Sequence, residues 1–107
     1  MDIIVQKYGG TSVANIRKIK SIAKNVSKLK KKNKSIVIVV SAMAGETDRL
    51  HNLTEKISKI PNEREYDEIV SSGEKVSAGL VAMALMDLKV KSISLAPAKF
   101  GLLTDDL

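Results

Sequence analysis

Cysteine is absent from the chain. Disulfides, thiolate metal ligation and cysteine nucleophiles are therefore excluded, and the composition fits a reducing, cytoplasmic compartment. Tryptophan is absent as well, and Tyr8, Tyr66 and Phe100 are the only aromatic residues. The core must then be aliphatic, and the stacking platforms used by single-strand nucleic-acid binders are scarce. The sole histidine, His51, has no second ligand at metal spacing, so no metal site is read from the sequence. No window reaches the ~18 apolar residues of a membrane span. Met1-Asp2-Ile3-Ile4 lacks the charged and long apolar regions of a secretory signal. The expectation is a cytoplasmic protein with no membrane partner.

What is present suits one small globular domain: 107 residues, 44% hydrophobic and 28% charged. The net charge of +6 is concentrated at Lys28, Lys30, Lys31, Lys32 and Lys34. This cluster reads as a solvated helix end, where cations complement the dipole. No groove-reading motif accompanies it, so no nucleic-acid partner is expected.

Lys7-Tyr8-Gly9-Gly10-Thr11-Ser12 follows a short apolar run and precedes a long amphipathic one. It reads as strand, glycine turn and helix. Two glycines let the backbone approach a ligand and reach positive φ. Thr11 and Ser12 can cap the helix, whose N-terminus suits anions, and Lys7 adds a full positive charge. A phosphate cradle and a plain tight turn are both compatible with this local pattern. The order is not that of a Walker loop.

Taken in order, residues 2–8 are expected as a buried parallel strand. A helix is expected over about 12–32, with Ile16, Ile19, Ala23, Val26 and Leu29 on its apolar face and Asn33 as its stop. Ser35–Val40 reads as a second strand, since five consecutive β-branched residues, Ile36 to Val40, suit a strand covered on both faces. Strand, helix and strand make a right-handed βαβ unit with parallel strands. The loop Ser41-Ala42-Met43-Ala44-Gly45 leaves the same sheet edge as the Gly9-Gly10 turn, where ligands bind in open α/β sheets.

Thr47 or Asp48 is expected to cap a second helix, with Leu50, Leu53, Ile57 and Ile60 on one face and Pro61 as its stop. Residues 62–68 read as a polar connection. Ser71-Ser72-Gly73-Glu74 then marks either a helix break or a glycine inside one continuous helix. Val76, Leu80, Val81, Ala84, Leu85 and Leu88 give a helical stripe over about 74–88. Glu74 has two readings, a helix-start charge or a carboxylate aimed at a cationic ligand group. Val90–Leu95 is expected as a third strand ended by Ala96-Pro97. The pattern β-α-β-α-α-β points to a layered α/β domain with a mostly parallel sheet, stopping short of a closing helix. Its exposed edges would favour self-association.

Three stretches now give a resemblance: Lys7 to Ser12, then Val40 to Met43 with Thr47 to Leu50, then Ser72-Gly73-Glu74-Lys75-Val76-Ser77. In order and spacing the chain resembles the aspartokinase branch of the amino acid kinase family, and Thr104-Asp105-Asp106 is similar to that family's threonine-aspartate segment. The resemblance implies a three-layer α/β/α, carbamate kinase-like fold, with residues 1–107 as its incomplete N-terminal, aspartate-binding portion. It implies ATP-dependent phosphorylation of L-aspartate to 4-phospho-L-aspartate, an early step of lysine, threonine, methionine and diaminopimelate synthesis. ATP and Mg²⁺ would be the cofactors. Lys7 would stabilise charge on the transferring phosphoryl group. Gly9, Gly10, Thr11 and Ser12 would hold phosphates. Ser41, Thr47 and Glu74 would hold aspartate, Glu74 facing its ammonium group. Tyr8 stands where phenylalanine is commoner, and Ala98-Lys99-Phe100-Gly101 departs from the expected glutamine-alanine-glycine run. The arginine-glycine-glycine-serine-aspartate segment, nucleotide lobe and ACT domains of the family do not occur in the 107 residues. A complementing C-terminal segment or a homo-oligomer is the expected protein partner. A folded, non-catalytic relic of such an enzyme is the alternative.

Overall fold

The computed structural model describes residues 3–32 and 34–95. Asn33, Ala96-Pro97, the Ala98 to Gly101 segment and Thr104-Asp105-Asp106 lie outside the described residues. Strand β1 (Ile3–Tyr8) and strand β2 (Ser35–Val40) pair in parallel, in register from Ile3 opposite Ser35 to Tyr8 opposite Val40. Between them runs helix α1 (Ile16–Lys30); helices α2 (Glu46–Ile57) and α3 (Glu63–Asp87) follow.

The period of two along a strand sorts the side chains. Tyr8, Ile36, Ile38 and Val40 turn toward the helices and pack with Val13, Ile19, Ile22, Ala23, Val26, Val81 and Leu85 in one aliphatic core. Ile3, Val5, Val37 and Val39 lie on the other face and stay exposed. The expectation that β2 is covered on both faces is therefore not met among the described residues. Its helices α1 and α3 lie on a single face, giving a sheet layer and a helix layer.

Helix α1 begins at Ile16, later than expected. Ser12 and Val13 N–H both donate to the Gly9 carbonyl, which folds residues 9–13 into a turn and keeps them out of the helix. Asn15 is the cap: its Oδ1 accepts from the Lys18 N–H at 2.9 Å. Thr11 and Ser12 therefore do not cap α1. Ile16, in the first turn, is 52% exposed, and Ile22 takes its expected place among the buried residues.

Helix α2 starts after Gly45, which sits at φ 81°, with no side-chain cap. Glycine occupies this left-handed conformation without a Cβ clash. Thr47 and Asp48 therefore lie inside the first turn and neither caps it. The helix ends at Ile57, before Pro61 is reached. Only Leu50 and Thr54 are buried, while Ile57 and Ile60 are 90% and 89% exposed. The cause is that α2 packs chiefly on α3, so only a narrow strip is covered and the C-terminal end projects beyond it.

Helix α3 is one continuous element through Ser71-Ser72-Gly73-Glu74. The Asn62 side chain accepts from the Glu65 N–H and starts the helix ahead of the acidic residues that read as a connection. Ser71, Ser72 and Ser77 turn their hydroxyls back onto the carbonyls of Glu68, Ile69 and Gly73. These bonds satisfy polar groups that would otherwise compete with the helix. By length and composition α3 could cross a bilayer, but its Gly73, Ser77, Val81, Ala82 and Leu85 face is buried within the protein.

Val90 to Leu95 does not form the expected third strand. Val90 N–H is taken by the Leu85 carbonyl, beside Lys89 at φ 65°, and Ser92 Oγ donates to the Ala82 carbonyl at 3.0 Å. These bonds hold the segment to the end of α3. It lines a groove of about 350 Å³ with Ile36, Ile38, Ala78 and Val81, without entering the ladder.

Candidate functional site

Three loops and helix starts converge at the carboxyl edge of the two strands. Ser41 N–H donates to the Tyr8 carbonyl at 3.0 Å, tying the loop after β2 to the end of β1. A Cβ placed on Gly10 would lie 3.8 Å from the Ala42 carbonyl oxygen. One placed on Gly73 would lie 2.8 Å from Ala42 Cβ, 3.5 Å from Leu50 Cδ1 and 3.8 Å from Glu46 Cβ. Buried Ala42 thus lies between the glycine turn and the middle of α3, and Gly73 of α3 faces both Ala42 and helix α2.

Around this contact the expected site residues are exposed. Lys7 is on the outward face of β1, opposite Val39 in the ladder, and its side chain holds no ion pair or hydrogen bond among the described residues. Thr11, Ser41, Thr47 and Glu74 are exposed and Ser12 is half-buried. No hydrogen bond or ion pair joins these side chains to one another among the described residues. Glu74 follows Gly73 in the middle of α3, which removes the helix-start reading of its charge.

The glycine turn works differently from its sequence reading. Neither Gly9 nor Gly10 adopts positive φ; among the described glycines only Gly45 does. A Cβ on Gly9 would meet nothing within 4 Å, so no contact within the described residues requires glycine there, and the turn is open to solvent. Among the described residues the Gly10 and Thr11 N–H groups have no hydrogen-bond partner within the chain. Two free N–H groups, an open glycine and an unpaired lysine suit an anionic ligand. The donors come from the turn, since the α1 N-terminus begins further along the chain.

Sequence reasoning missed two parts of this site. Gly73 and Ala42 are its packing joint, and nothing in their spacing announces a contact between them. The other part is Glu46–Arg49. The Arg49 guanidinium donates to both carboxylate oxygens of Glu46, at 2.8 and 3.1 Å. This holds the Glu46 carboxyl below its usual range and the Arg49 guanidinium above its own. The i,i+3 spacing was a readable signal.

Away from this edge, His51 joins α2 to α3. Its Nδ1 lies 2.8 Å from the Tyr66 hydroxyl and its Nε2 2.9 Å from Glu55. The rings meet edge to face. This partnership gives His51 a structural use that its isolated position in the sequence does not indicate. Among the described residues no group of three or more acidic or histidine side chains is placed to hold a metal ion.

A parallel βαβ sheet with loops gathered at its carboxyl edge defines an α/β protein, and comparisons with known proteins give its family. The model of the amino acid kinase family matches residues 2–106, and the chain belongs to that family. It is similar to an aspartate kinase of Stutzerimonas stutzeri, with 46% identity over 98% of this chain. An aspartokinase of Geobacillus stearothermophilus is 44% identical over 100% of it. The chain spans 26% of the length of each of these relatives. The crystal structure of aspartate kinase from Synechocystis superposes with a TM-score of 0.83 at 42% identity, over 87% of this chain and 16% of that one. The fold is thus the α/β fold of the amino acid kinases.

Proposed function

We propose that this chain forms the aspartate-side segment of an aspartokinase, acting in ATP-dependent phosphorylation of the L-aspartate β-carboxylate. The observation that carries this reading is the convergence of the Gly9-Gly10 turn, the Ser41–Ala42 loop and the Gly73-Glu74 turn of α3 on one sheet edge. The similarity to aspartate kinases supports it.

In this reading a β-carboxylate oxygen attacks the γ-phosphorus while the bond to ADP breaks, and the product is an acyl phosphate. The protein need not supply a nucleophile; positioning and charge stabilisation carry the reaction. Lys7 offers its ammonium to the transferring group, and the Gly10 and Thr11 N–H groups face the phosphates beside Gly9 and Ser12. Glu74 pairs with the substrate ammonium, and Ser41 and Thr47 hydrogen-bond its carboxylates. ATP would supply the phosphoryl group, and Mg²⁺ would offset repulsion between the two anions. The chain acts in the cytoplasm and the product feeds amino-acid synthesis, lysine included. Its 107 residues hold the aspartate side of the site, so the isolated chain is expected to give no turnover.

The test is aspartyl hydroxamate formation from ATP and aspartate. The chain is mixed with a polypeptide supplying the remainder of a relative's catalytic domain. Activity is expected in the mixture and not in either part. Lys7→Ala should reduce it at least 100-fold, and Glu74→Gln should raise KM for aspartate. A mixture in which both parts are folded and associated but inactive would favour the second reading, a folded non-catalytic relic.

A further inference from the structure

Helix α1 and the turn after it hold the whole of the chain's positive excess. Residues 17–34 contain nine of the 18 lysines and arginines and none of the 12 aspartates and glutamates, so the rest of the chain is net acidic. Arg17, Lys20, Lys24, Lys28 and Lys31 recur at spacings of three and four, and all five are exposed. That spacing puts them in one row, on the side of the helix away from buried Ile19, Ile22, Ala23 and Val26. The row is about 21 Å long at 1.5 Å per residue. None of its five side chains holds an ion pair among the described residues.

From the sequence, Lys28 to Lys34 read as a solvated helix end, with no nucleic-acid partner expected. The structure gives the charge a wider extent. Helix α1 begins at Ile16, so Arg17 and Lys18 stand in its first turn, where no acidic residue accompanies them. Cations at that end oppose the helix dipole. Lys20, Lys24 and Lys28 also repel one another at i,i+4 spacing. The dipole accounts for Lys28 and Lys30 in the last turn and not for the rest of the row.

We propose that this row is a contact for the phosphate backbone of duplex nucleic acid, independent of base sequence. A regular line of cations complements a regular line of anions. Four of the five are lysines, compact charges without the planar fork with which arginine grips carboxylates, so phosphates suit the row better than an acidic protein surface. Helix α1 carries no aromatic residue on which the bases of a single strand could stack. Its apolar face is committed to the core, which leaves no insertion into lipid to reinforce the charge. Without groove-reading side chains the contact stays on the backbone and carries no sequence information.

The experiment is fluorescence anisotropy of a short labelled DNA duplex of mixed sequence, titrated with the full 107-residue chain over a tenfold range of salt. Five phosphate contacts predict that log K falls against log salt with a slope of about −4.5. A duplex of scrambled sequence should bind equally. Lys20→Gln with Lys24→Gln and Lys28→Gln should flatten the slope by about 3 and weaken binding at low salt at least tenfold. Lys56→Gln with Lys59→Gln and Lys75→Gln removes the same charge elsewhere and should leave the slope unchanged. All six side chains are exposed, so circular dichroism should be the same in both triple variants. A slope near zero would overturn the proposal, as would equal losses in the two triple variants or tighter binding of a single strand of the same length. Binding to anionic vesicles but not to the duplex would assign the row to a lipid surface instead.

Discussion

Gly73 of α3 lies directly against Ala42 in the loop after β2, so closely that a Cβ on Gly73 would stand 2.8 Å from Ala42 Cβ. Real Cβ atoms do not approach so near. Glycine at this position lets α3 run past the loop at the carboxyl edge of the sheet and carries Glu74 to it.

Gly73→Ala should therefore force the helix and loop apart, at a cost of about 1–3 kcal/mol for overpacking. Ala42→Gly removes the opposing methyl and should recover most of that loss in the double variant. Denaturant unfolding of the four proteins of the cycle measures the coupling. Additive costs would mean that the joint is not the source of strain.

Asn15 closes the N-terminus of α1 through the Lys18 N–H. Asn15→Ala should cost about 0.5–2 kcal/mol, whereas Ser12→Ala, outside the cap, should leave helix stability nearly unchanged. Thermal or urea unfolding of the two variants separates them.

The Glu46–Arg49 pair should be visible in titration. Arg49, chiefly by hydrogen bonding, lowers the folded-state pKa of Glu46. Its contribution is thus present above the ordinary carboxylate pKa and lost as pH falls through the lowered value. NMR titration of the Glu46 carboxyl should give a midpoint below the usual range, returning to it in Arg49→Met. An unshifted midpoint in the unmodified chain would count against the pair. Both side chains face solvent, so the effect on overall stability should be small.

Ile19 and Ile57 look alike in the helical repeat but not in the fold. Ile19 is 2% exposed in the core, and Ile57 lies almost wholly in water. Ile19→Ala should cost about 2–5 kcal/mol. Ile57→Ala should stay within about 0.5 kcal/mol. Equal losses would show that the end of α2 is buried in solution.

Tyr66→Phe keeps the edge-to-face ring contact with His51 and removes the hydroxyl. The hydroxyl lies 2.8 Å from Nδ1, while Nε2 is held by Glu55 at 2.9 Å. The variant should lose about 0.5–1.5 kcal/mol. No loss would mean that water replaces the hydroxyl at no cost.

Much of this was legible in residue order. The β-branched run of Ile36 to Val40 can hardly be anything but a strand. The spacing of Ile19, Ala23 and Val26 marks the buried face of α1 whatever packs on it. The three stretches that carry the family resemblance are local in sequence, and the family is shown by the comparisons. Other features were not readable because they depend on what neighbouring elements do. Ser71-Ser72-Gly73 is a breaker by composition, yet three serine hydroxyls bond back to the helix and the glycine fits against Ala42. Val90 to Leu95 has the composition of a strand, yet its first N–H and the Ser92 hydroxyl are both committed to α3.

The sequence alone therefore determined the parallel βαβ start, the aliphatic core, the exclusion of thiol chemistry and the candidate residues from Lys7 to Glu74. These follow from periodicity and residue chemistry, which act over a few neighbours along the chain. Only the tertiary structure decided that Ala42 lies between the glycine turn and Gly73 of α3, and that the glycine turn, not the helix end, offers the free N–H groups. It also decided that one face of α3 is buried while another stays open. Each of these depends on how closely segments distant in sequence approach, and a clash of a few tenths of an ångström, invisible to any local pattern, settles it.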